Sequence, residues 1–315
     1  MSDEPKKRSH GKGLSRTCMS VTLFTFVALA AYPGASYLPA QQSSPKPITL
    51  AALVEAMEAR QKSAESVMVR WTDTQWDSHA GPNGFTGPCE MLLKGASMRY
   101  ESQNLSFAGT DVSLVERVSS FDGNESRYRV GGKRPRGGIT TKKDNSDAIC
   151  APNLPLRLCF RPLAEPYRTL SRKTLKLLDE RKTIDGHECV TVDDGRLRVY
   201  LDCNRDFVPV AFEGYNIQGR RYMNGSLEYY GKRDAMKWVP KAFQVNWQIP
   251  GEWSRHRGER VQTEIGVPLK EGDFALTFDP GTVVFDARTR EWYRVLSDGS
   301  KEPIERGGRR RAPQK

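Results

Sequence analysis

At Ser66-Val67-Met68-Val69-Arg70-Trp71-Thr72 the spacing of apolar residues changes from that of a helix to that of a β-strand. Before it, Thr49 can cap a helix whose apolar residues recur at helical spacing: Leu50, Leu53, Val54 and Met57. From Val67 onward the period is two, so Val67, Val69 and Trp71 share one face of a strand. The chain is therefore predicted to change from an amphipathic helix, ending near residues 63–65, to a β-strand within a few residues.

The same alternation recurs along most of the chain and predicts the fold class. Further strands are expected at Cys89/Met91/Leu93, Met98/Tyr100, 114–121, 175–182, 187–192, 197–201, 208–212, 227–229, 243–247, 261–265 and 274–278. So many strands behind one helix predict an α+β, mostly β fold, because apolar strand faces need cover and few helices are present to provide it. We expect a large, strongly curved antiparallel sheet, a half-barrel wrapped around the N-terminal amphipathic helix and loop segments. A closed lipocalin-like barrel is the alternative.

Composition excludes several classes of protein. Of 315 residues, 37% are hydrophobic and 9% aromatic, which is enough to build a core and excludes a fully disordered chain. The 27 glycines and 19 prolines argue against a helical bundle. The net charge of +11 is concentrated at the ends, where 1–20 carry +3 and 301–315 carry +4, so the remainder carries only +4. Residues 301–315 are predicted to be a basic, disordered tail, and nucleic acid is not predicted as a partner.

The N-terminal residues predict the localisation of the protein. Basic residues precede the apolar run 21–32, which Pro33 and Gly34 end, as in a secretory signal peptide. Residues 1–40 are therefore interpreted as a signal peptide or, alternatively, an uncleaved N-terminal membrane anchor, with localisation in the periplasm or cell envelope. A linker at 41–47 is then followed by one domain at 48–300. Within that domain, the Gly- and Pro-rich residues 131–169 are predicted to form an irregular insertion, with a short helical turn around 154–160.

Export would make the cysteines oxidisable, but the sequence leaves their pairing open. Cys150 and Cys159 lie nine positions apart and could close a small ring, whereas Cys189 and Cys203 flank a predicted hairpin. Cys89 alternates with apolar residues and is most simply a buried small side chain. The chain contains no Cys-x-x-Cys and its histidines are scattered, so no metal site is predicted.

No familiar catalytic motif is present. The sequence lacks GxSxG, HExxH, GxxxxGKS and GxGxxG. His187 lies near Asp185 and Glu188 but no local motif provides a nucleophile, and Asp193-Asp194-Gly195 is more typical of a hairpin turn than of an acid pair. We therefore predict no catalytic residues, no cofactor and no enzymatic activity.

Three stretches, taken in order, resemble the LolA-like superfamily of periplasmic lipoprotein carriers. The first is the helix-to-strand passage 53–76. The second is Gly87-Pro88-Cys89-Glu90-Met91-Leu92-Leu93-Lys94 with Met98-Arg99-Tyr100 and the turn Phe121-Asp122-Gly123. The third, Gly272-Asp273-Phe274-Ala275-Leu276-Thr277-Phe278-Asp279-Pro280-Gly281-Thr282-Val283-Val284-Phe285-Asp286, is similar to the family's closing segment in spacing. Residues 184–213 also resemble the branch of this superfamily that senses stress through an anti-sigma factor.

The resemblance implies a curved sheet around helices, with a hydrophobic concavity that accepts acyl chains. One position departs from the family pattern. In carriers, the lysine of the second stretch is followed by an arginine that latches a helical lid, whereas here Lys94 is followed by Gly95. The insertion 131–169 and the strands between 215 and 265 are likewise unlike a minimal carrier.

These patterns lead to one preferred function and two alternatives. The preferred function is an exported, non-enzymatic protein resembling lipoprotein-sorting proteins, which binds a hydrophobic ligand or lipoprotein on a concave, partly open sheet face and contacts the membrane transiently. The predicted ligand-binding residues share one face of three consecutive strands: Val67, Val69, Trp71, Met91, Leu93, Met98 and Tyr100. The first alternative is an envelope protein-interaction or stress-sensing module without a lipid ligand, and the second is a secreted hydrolase.

Overall fold

Sixteen strands and two α-helices form the part of the chain that the structure describes. The computed structural model describes residues 47–78, 84–108, 111–141, 151–163, 169–231 and 238–304. The chain divides into two units, Met1–Lys46 and Pro47–Lys315, and all described residues belong to the second. The expected signal peptide or anchor, most of the linker and Cys150 lie outside the described residues. Neither helix, nor any other described helical segment, is long and apolar enough to cross a membrane.

The helices are α1 (Leu50–Ser63) and α2 (Leu154–Phe160), and a single 3-10 turn (Ala151–Asn153) precedes α2. Thr49 caps α1 as predicted, because its Oγ1 accepts a hydrogen bond of 3.2 Å from the Ala52 amide. The strands are β1 (Ser66–Asp77), β2 (Phe85–Lys94), β3 (Ser97–Ala108), β4 (Asp111–Phe121), β5 (Glu125–Val130), β6 (Arg136–Thr141), β7 (Lys176–Ile184), β8 (His187–Asp193), β9 (Leu197–Asp202), β10 (Pro209–Tyr215), β11 (Arg221–Tyr229), β12 (Pro240–Ile249), β13 (Glu252–Ile265), β14 (Val283–Asp286), β15 (Glu291–Val295) and β16 (Lys301–Pro303).

All strands belong to one curved, unclosed sheet, as the half-barrel prediction requires. Its order is β16-β15-β14-β6-β5-β4-β3-β2-β1-β13-β12-β11-β10-β9-β8-β7. The central pair is β1 with β13, and antiparallel meanders lead outward from it, through β1–β6 on one side and through β13–β7 on the other. Only the β6–β14 pairing is parallel among the described pairs. The closed barrel is excluded for this sheet because β7 and β16 are unpaired edges at opposite ends.

The turns follow the chemistry that the sequence predicted for them. Gly186 (φ +82°) closes the β7–β8 hairpin, and Asp185 beside it also has a positive φ of 48°. Asp193 and Asp194 form the β8–β9 turn, where Asp194 Oδ1 accepts hydrogen bonds from the amides of Arg196 (2.9 Å) and Leu197 (2.8 Å). The turn interpretation of Asp193-Asp194 is therefore confirmed.

The main core lies on the concave face of the sheet, beneath the two helices. Alternating residues of the central strands pack there against Leu53 and Met57 of α1 and against the apolar side chains of α2. Cys89 is buried in this core, as its alternation predicted. A second cluster joins β6 to β14 and β15 through Ile139, Val284, Tyr293 and Val295.

The segment after β13 crosses the convex face, which corrects one predicted strand. Residues 274–278, expected to be a strand, form the end of a 3-10 turn (Glu271–Phe274) and an extended stretch outside the sheet. Side chains opposite the core hold this stretch: Arg99 Nη1 donates to the Asp273 and Ala275 carbonyls (3.2 and 3.3 Å), and Arg127 Nη1 donates to the Leu276 carbonyl (3.1 Å). Its alternating apolar residues therefore cover the back of the sheet instead of joining it.

Two further segments are more regular than the sequence indicated. The insertion predicted to be irregular contains β6, which pairs with both β5 and β14, whereas α2 coincides with the helical turn predicted around 154–160. Residues 301–303, assigned from the sequence to the basic tail, form the edge strand β16. Both contain glycine, proline or charged residues, which are depleted in strands, so their sequences do not indicate a strand.

Candidate functional site

The seven predicted ligand-binding residues come together on the concave face. Val67, Val69, Met91, Leu93 and Met98 are fully buried, and Trp71 and Tyr100 retain only 4% and 3% exposure. The register explains this arrangement, because Val69 pairs with Met91 and Met91 pairs with Tyr100. Trp71 stacks on Tyr100 at 5.9 Å between ring centroids and meets Phe243 of β12 edge-on at 5.8 Å.

The concave face is closed by helix α2, so the partly open cavity expected from the sequence is not seen. All seven residues of α2 are buried, and the helix packs against β11 and β12. A void of about 10 Å³ lies between α1, α2 and β9, which is too small for anything larger than a single water molecule. Part of the insertion 131–169 thus covers the concave face.

Two arginines attach the helices to each other and a third binds within the second helix, and the sequence did not reveal them. Arg161, buried just after α2, donates from Nη1 to the Ala64 carbonyl (2.6 Å) and from Nη2 to the Glu65 carbonyl (2.7 Å), at the end of α1. Arg60 of α1 donates from Nε to the Cys159 carbonyl (2.7 Å) in return. Arg157 is buried within α2 and donates to Asn153 Oδ1 (2.7 Å). The i, i+4 spacing of Arg157 and Arg161 is the signal that could have found them.

These bonds lie away from the position after Lys94, at which the sequence departs from the carriers. The position after Lys94 is glycine, and Lys94 itself reaches the convex side, where its Nζ donates to the Leu269 carbonyl (2.5 Å). Here the arginines come from the helices instead. The acceptors of Arg60 and Arg161 include backbone carbonyls, which water can also satisfy, and the Cys159 sulfur, which lies 3.0 Å from Arg60 Nη2.

Several polar atoms at the concave face lack hydrogen-bond partners among the described residues. They include Trp71 Nε1 and the hydroxyl of Ser119 on β4, both in buried residues. An unsatisfied buried donor costs about 1–3 kcal/mol, so such groups need an explanation. A polar group of a bound ligand would satisfy either of them.

The acidic and histidine side chains form structural pairs. His256 Nδ1 lies 2.8 Å from Asp73 Oδ2, and both residues are buried near Trp71. His187 Nδ1 lies 3.0 Å from Asp202 Oδ2, so its partner is not one of the neighbours considered from the sequence. Cys189 Sγ donates to the backbone carbonyl of His187 (3.3 Å) and not to its imidazole. Within the described ranges, no group of three or more His, Cys, Asp or Glu could hold a metal ion.

Burial determines the protonation of the tyrosine beside the helices. Tyr229 of β11 lies under Arg60, 6.0 Å from ring centroid to guanidinium carbon, and its hydroxyl donates to the Pro209 carbonyl (2.7 Å). Desolvation raises the pKa of Tyr229 well above its ordinary value, so the group remains a neutral donor. Cys89, Cys159, Cys189 and Cys203 are free thiols in this structure.

Comparisons with known proteins find similar solved structures only. No family model and no curated protein sequence matches the chain. A putative outer membrane lipoprotein-sorting protein domain from Vibrio parahaemolyticus is 12% identical, covers 70% of this chain and 94% of its own, and has a TM-score of 0.44. A LolA superfamily protein from Nitrosomonas europaea is 11% identical, with coverages of 71% and 97% and a TM-score of 0.44. The protein MucB is 13% identical, with coverages of 72% and 63% and a TM-score of 0.28. The solved structures found to be similar thus include members of the LolA superfamily, which the sequence also resembles.

Proposed function

We propose that this protein is an exported, non-enzymatic protein of the cell envelope that binds an acyl-chain ligand on the concave face of its sheet. The observation that carries the proposal is the closure of that face by α2, a seven-residue helix that is buried throughout and attached to α1 through arginine–carbonyl hydrogen bonds. A short helix held in this way can be displaced as a unit while the sheet stays intact. The chain would then exchange its own apolar helix for an apolar ligand.

The energies of this exchange are of similar size. Displacing α2 exposes the four large apolar side chains Leu154, Leu156, Leu158 and Phe160, which costs about 6–12 kcal/mol. Burying an acyl chain of about fourteen carbons contributes about 11 kcal/mol at about 0.8 kcal/mol per methylene. The hydrogen bonds of the arginines are replaced by hydrogen bonds to water at a net cost of about 1.5–3 kcal/mol each, because their donors are charged. Ligand binding can therefore offset the loss of apolar burial.

A fluorescent fatty-acid probe tests the proposal. Full-length protein should bind dansyl-labelled undecanoic acid saturably. Met91→Trp should weaken binding at least tenfold, since it fills the concave face without adding charge. Leu92→Trp is the matched control, because the next residue of β2 points to the opposite face and should leave binding unchanged.

Two outcomes would contradict the proposal. One is wild-type protein that binds no probe while Met91→Trp merely lowers the free energy of unfolding, which would make the concave face an ordinary core. The other is equal loss of binding in both variants, which would indicate destabilisation and no specific site. Binding of one envelope protein in the absence of any lipid would favour the interaction module considered from the sequence.

A further inference from the structure

The concave face continues past the apolar core into a region of different chemistry. One cross-strand row passes from Cys89 of β2 through Ser102, Arg117, Val130 and Arg136 and, by way of β14, to Arg294 of β15. Directly paired residues lie on the same face of a sheet. The arginines of β4, β6 and β15 therefore point to the same side as the core residue Cys89. The face changes from apolar to cationic between β2 and β6.

These cations line a groove of about 740 Å³. Its basic residues are Arg117, Lys133, Arg134, Arg136 and Arg294, and among the described residues its lining includes no aspartate or glutamate. Lys133, Arg134 and Arg136 are exposed and have no ion-pair partner in the described part of the chain. Arg294 is paired with Glu302 of β16 at 3.3 Å, on the rim. A concentration of unneutralised positive charge in a groove attracts anions.

Glycines shape this groove. Gly132 has a φ of +101°, and a Cβ there would lie 2.8 Å from Val115 Cγ1, so the β5–β6 turn that carries Lys133 and Arg134 folds closely onto β4. A Cβ at Gly138 would overlap the ring of Tyr128, so the missing side chain allows this tyrosine to lie across β6. Tyr128 and Trp292 supply aromatic surface to the groove lining.

The spacing between the two regions suits one amphiphilic molecule. Strands of a sheet lie about 4.8 Å apart, so Arg117 is about 10 Å and Arg136 about 19 Å across the sheet from Cys89. Ser119, whose buried hydroxyl lacks a partner among the described residues, lies in between, since its row runs from Tyr100 to Tyr128. A molecule with an apolar end in the core would place its polar end at the groove.

We infer that the groove binds the phosphate headgroup of an anionic phospholipid whose acyl part occupies the concave core. This inference rests on the proposed function, which it deepens by naming the class of ligand. Guanidinium groups match phosphate oxygens in charge and geometry, and three of the groove's cations are available to them. A zwitterionic lipid gains less, because its own cation meets the same basic groove.

The test compares two short-chain lipids that differ in headgroup. Binding of dihexanoyl phosphatidylglycerol and dihexanoyl phosphatidylcholine to the full chain is measured by calorimetry. We expect about a tenfold preference for the anionic lipid, the combined effect of three screened surface charge contacts. The variant Lys133→Gln/Arg134→Gln/Arg136→Gln should lose this preference but still bind both lipids. The matched variant Lys173→Gln/Lys176→Gln/Arg220→Gln removes three exposed charges elsewhere and should retain it.

The outcomes separate this inference from the proposed function. If both lipids bind equally to wild-type protein, the headgroup site is wrong and the acyl site stands. If neither binds, the proposed function fails together with the inference. If glycerol phosphate or inorganic phosphate binds as tightly as the anionic lipid and is lost in the groove variant, the groove is a site for free phosphate. A preference that survives in the groove variant also overturns the inference.

Discussion

The buried carboxylate of Asp286 makes the stability of the fold depend on pH. It ends β14, is buried, and accepts hydrogen bonds from Arg288 Nε (2.8 Å) and Nη2 (2.6 Å). The bonds from Arg288 hold the pKa of Asp286 below its ordinary value. Ionised Asp286 therefore stabilises the fold above the unfolded-chain pKa of about 3.9, and this contribution disappears as pH falls through the lower folded-state pKa.

Asp286→Asn should accordingly reduce the free energy of unfolding by about 1–2 kcal/mol at pH 7 and by little at pH 2. Urea denaturation of both proteins across this pH range measures the difference. Asp179→Asn removes an exposed carboxylate of β7 as the control, and its curve should follow that of wild-type protein. A constant difference between Asp286→Asn and wild-type protein at all pH values would contradict the ion-pair explanation.

At the scale of elements, the two helices should open together while the sheet remains closed. Arg161→Ala removes the hydrogen bonds to the carbonyls of Ala64 and Glu65, so water must satisfy these groups. Amide hydrogen exchange in α1 and α2 should then be faster by at least tenfold, whereas exchange in β1 and β13 should not change. Arg172→Ala is the control, because this exposed arginine touches α1 only through Glu58. Equal acceleration in the sheet would show that the helices are part of the global core.

Elements with local signals could be predicted from the sequence, and those with distant partners could not. Thr49 and the period-two run at Val67–Trp71 define α1 and β1 by themselves, and they gave the concave residues directly. β6 and β14 were not predicted because each is short and their mutual pairing joins residues distant in sequence, and Gly137 and Gly138 of β6 carry no apolar pattern. Phe274, Leu276 and Phe278 alternate like a strand because they cover one surface, a pattern that also fits an extended segment packed on a sheet.

The candidate site divides in the same way. The alternation of side chains along three strands predicted that seven residues share one face, since side chains two positions apart lie on the same face however the sheet curves. The closure of that face by α2 could not be predicted, because it depends on which part of the sheet the insertion packs against. The basic groove was equally hidden: Arg117, Arg136 and Arg294 are far apart in sequence and meet only through the register of five strands.

At the scale of the molecule, residues 47–304 should unfold as one unit. The two wings of the sheet share only the central β1–β13 pair, but the concave core joins residues from both wings beneath the same helices. Differential scanning calorimetry of the full chain should therefore show a single transition whose calorimetric and van't Hoff enthalpies agree. Val69→Ala, at the centre, should lower its temperature without splitting it. Two resolved transitions, or two proteolytic halves that fold separately, would contradict a single domain.

The pairing of β1 with β13 also determines when the protein can fold during its synthesis. Val67 of the first strand pairs with Ile265 of the thirteenth. The central strand pair of the sheet can therefore form only after almost the whole chain has been synthesised. At roughly 5–20 residues per second, a nascent β1 remains without this neighbour for about 10–40 s, with its apolar side chains uncovered. Ribosome-stalled chains that end before Glu252 should be cut by protease within β1–β3, whereas chains long enough to release Ile265 should resist. A holding chaperone would be needed for just that interval.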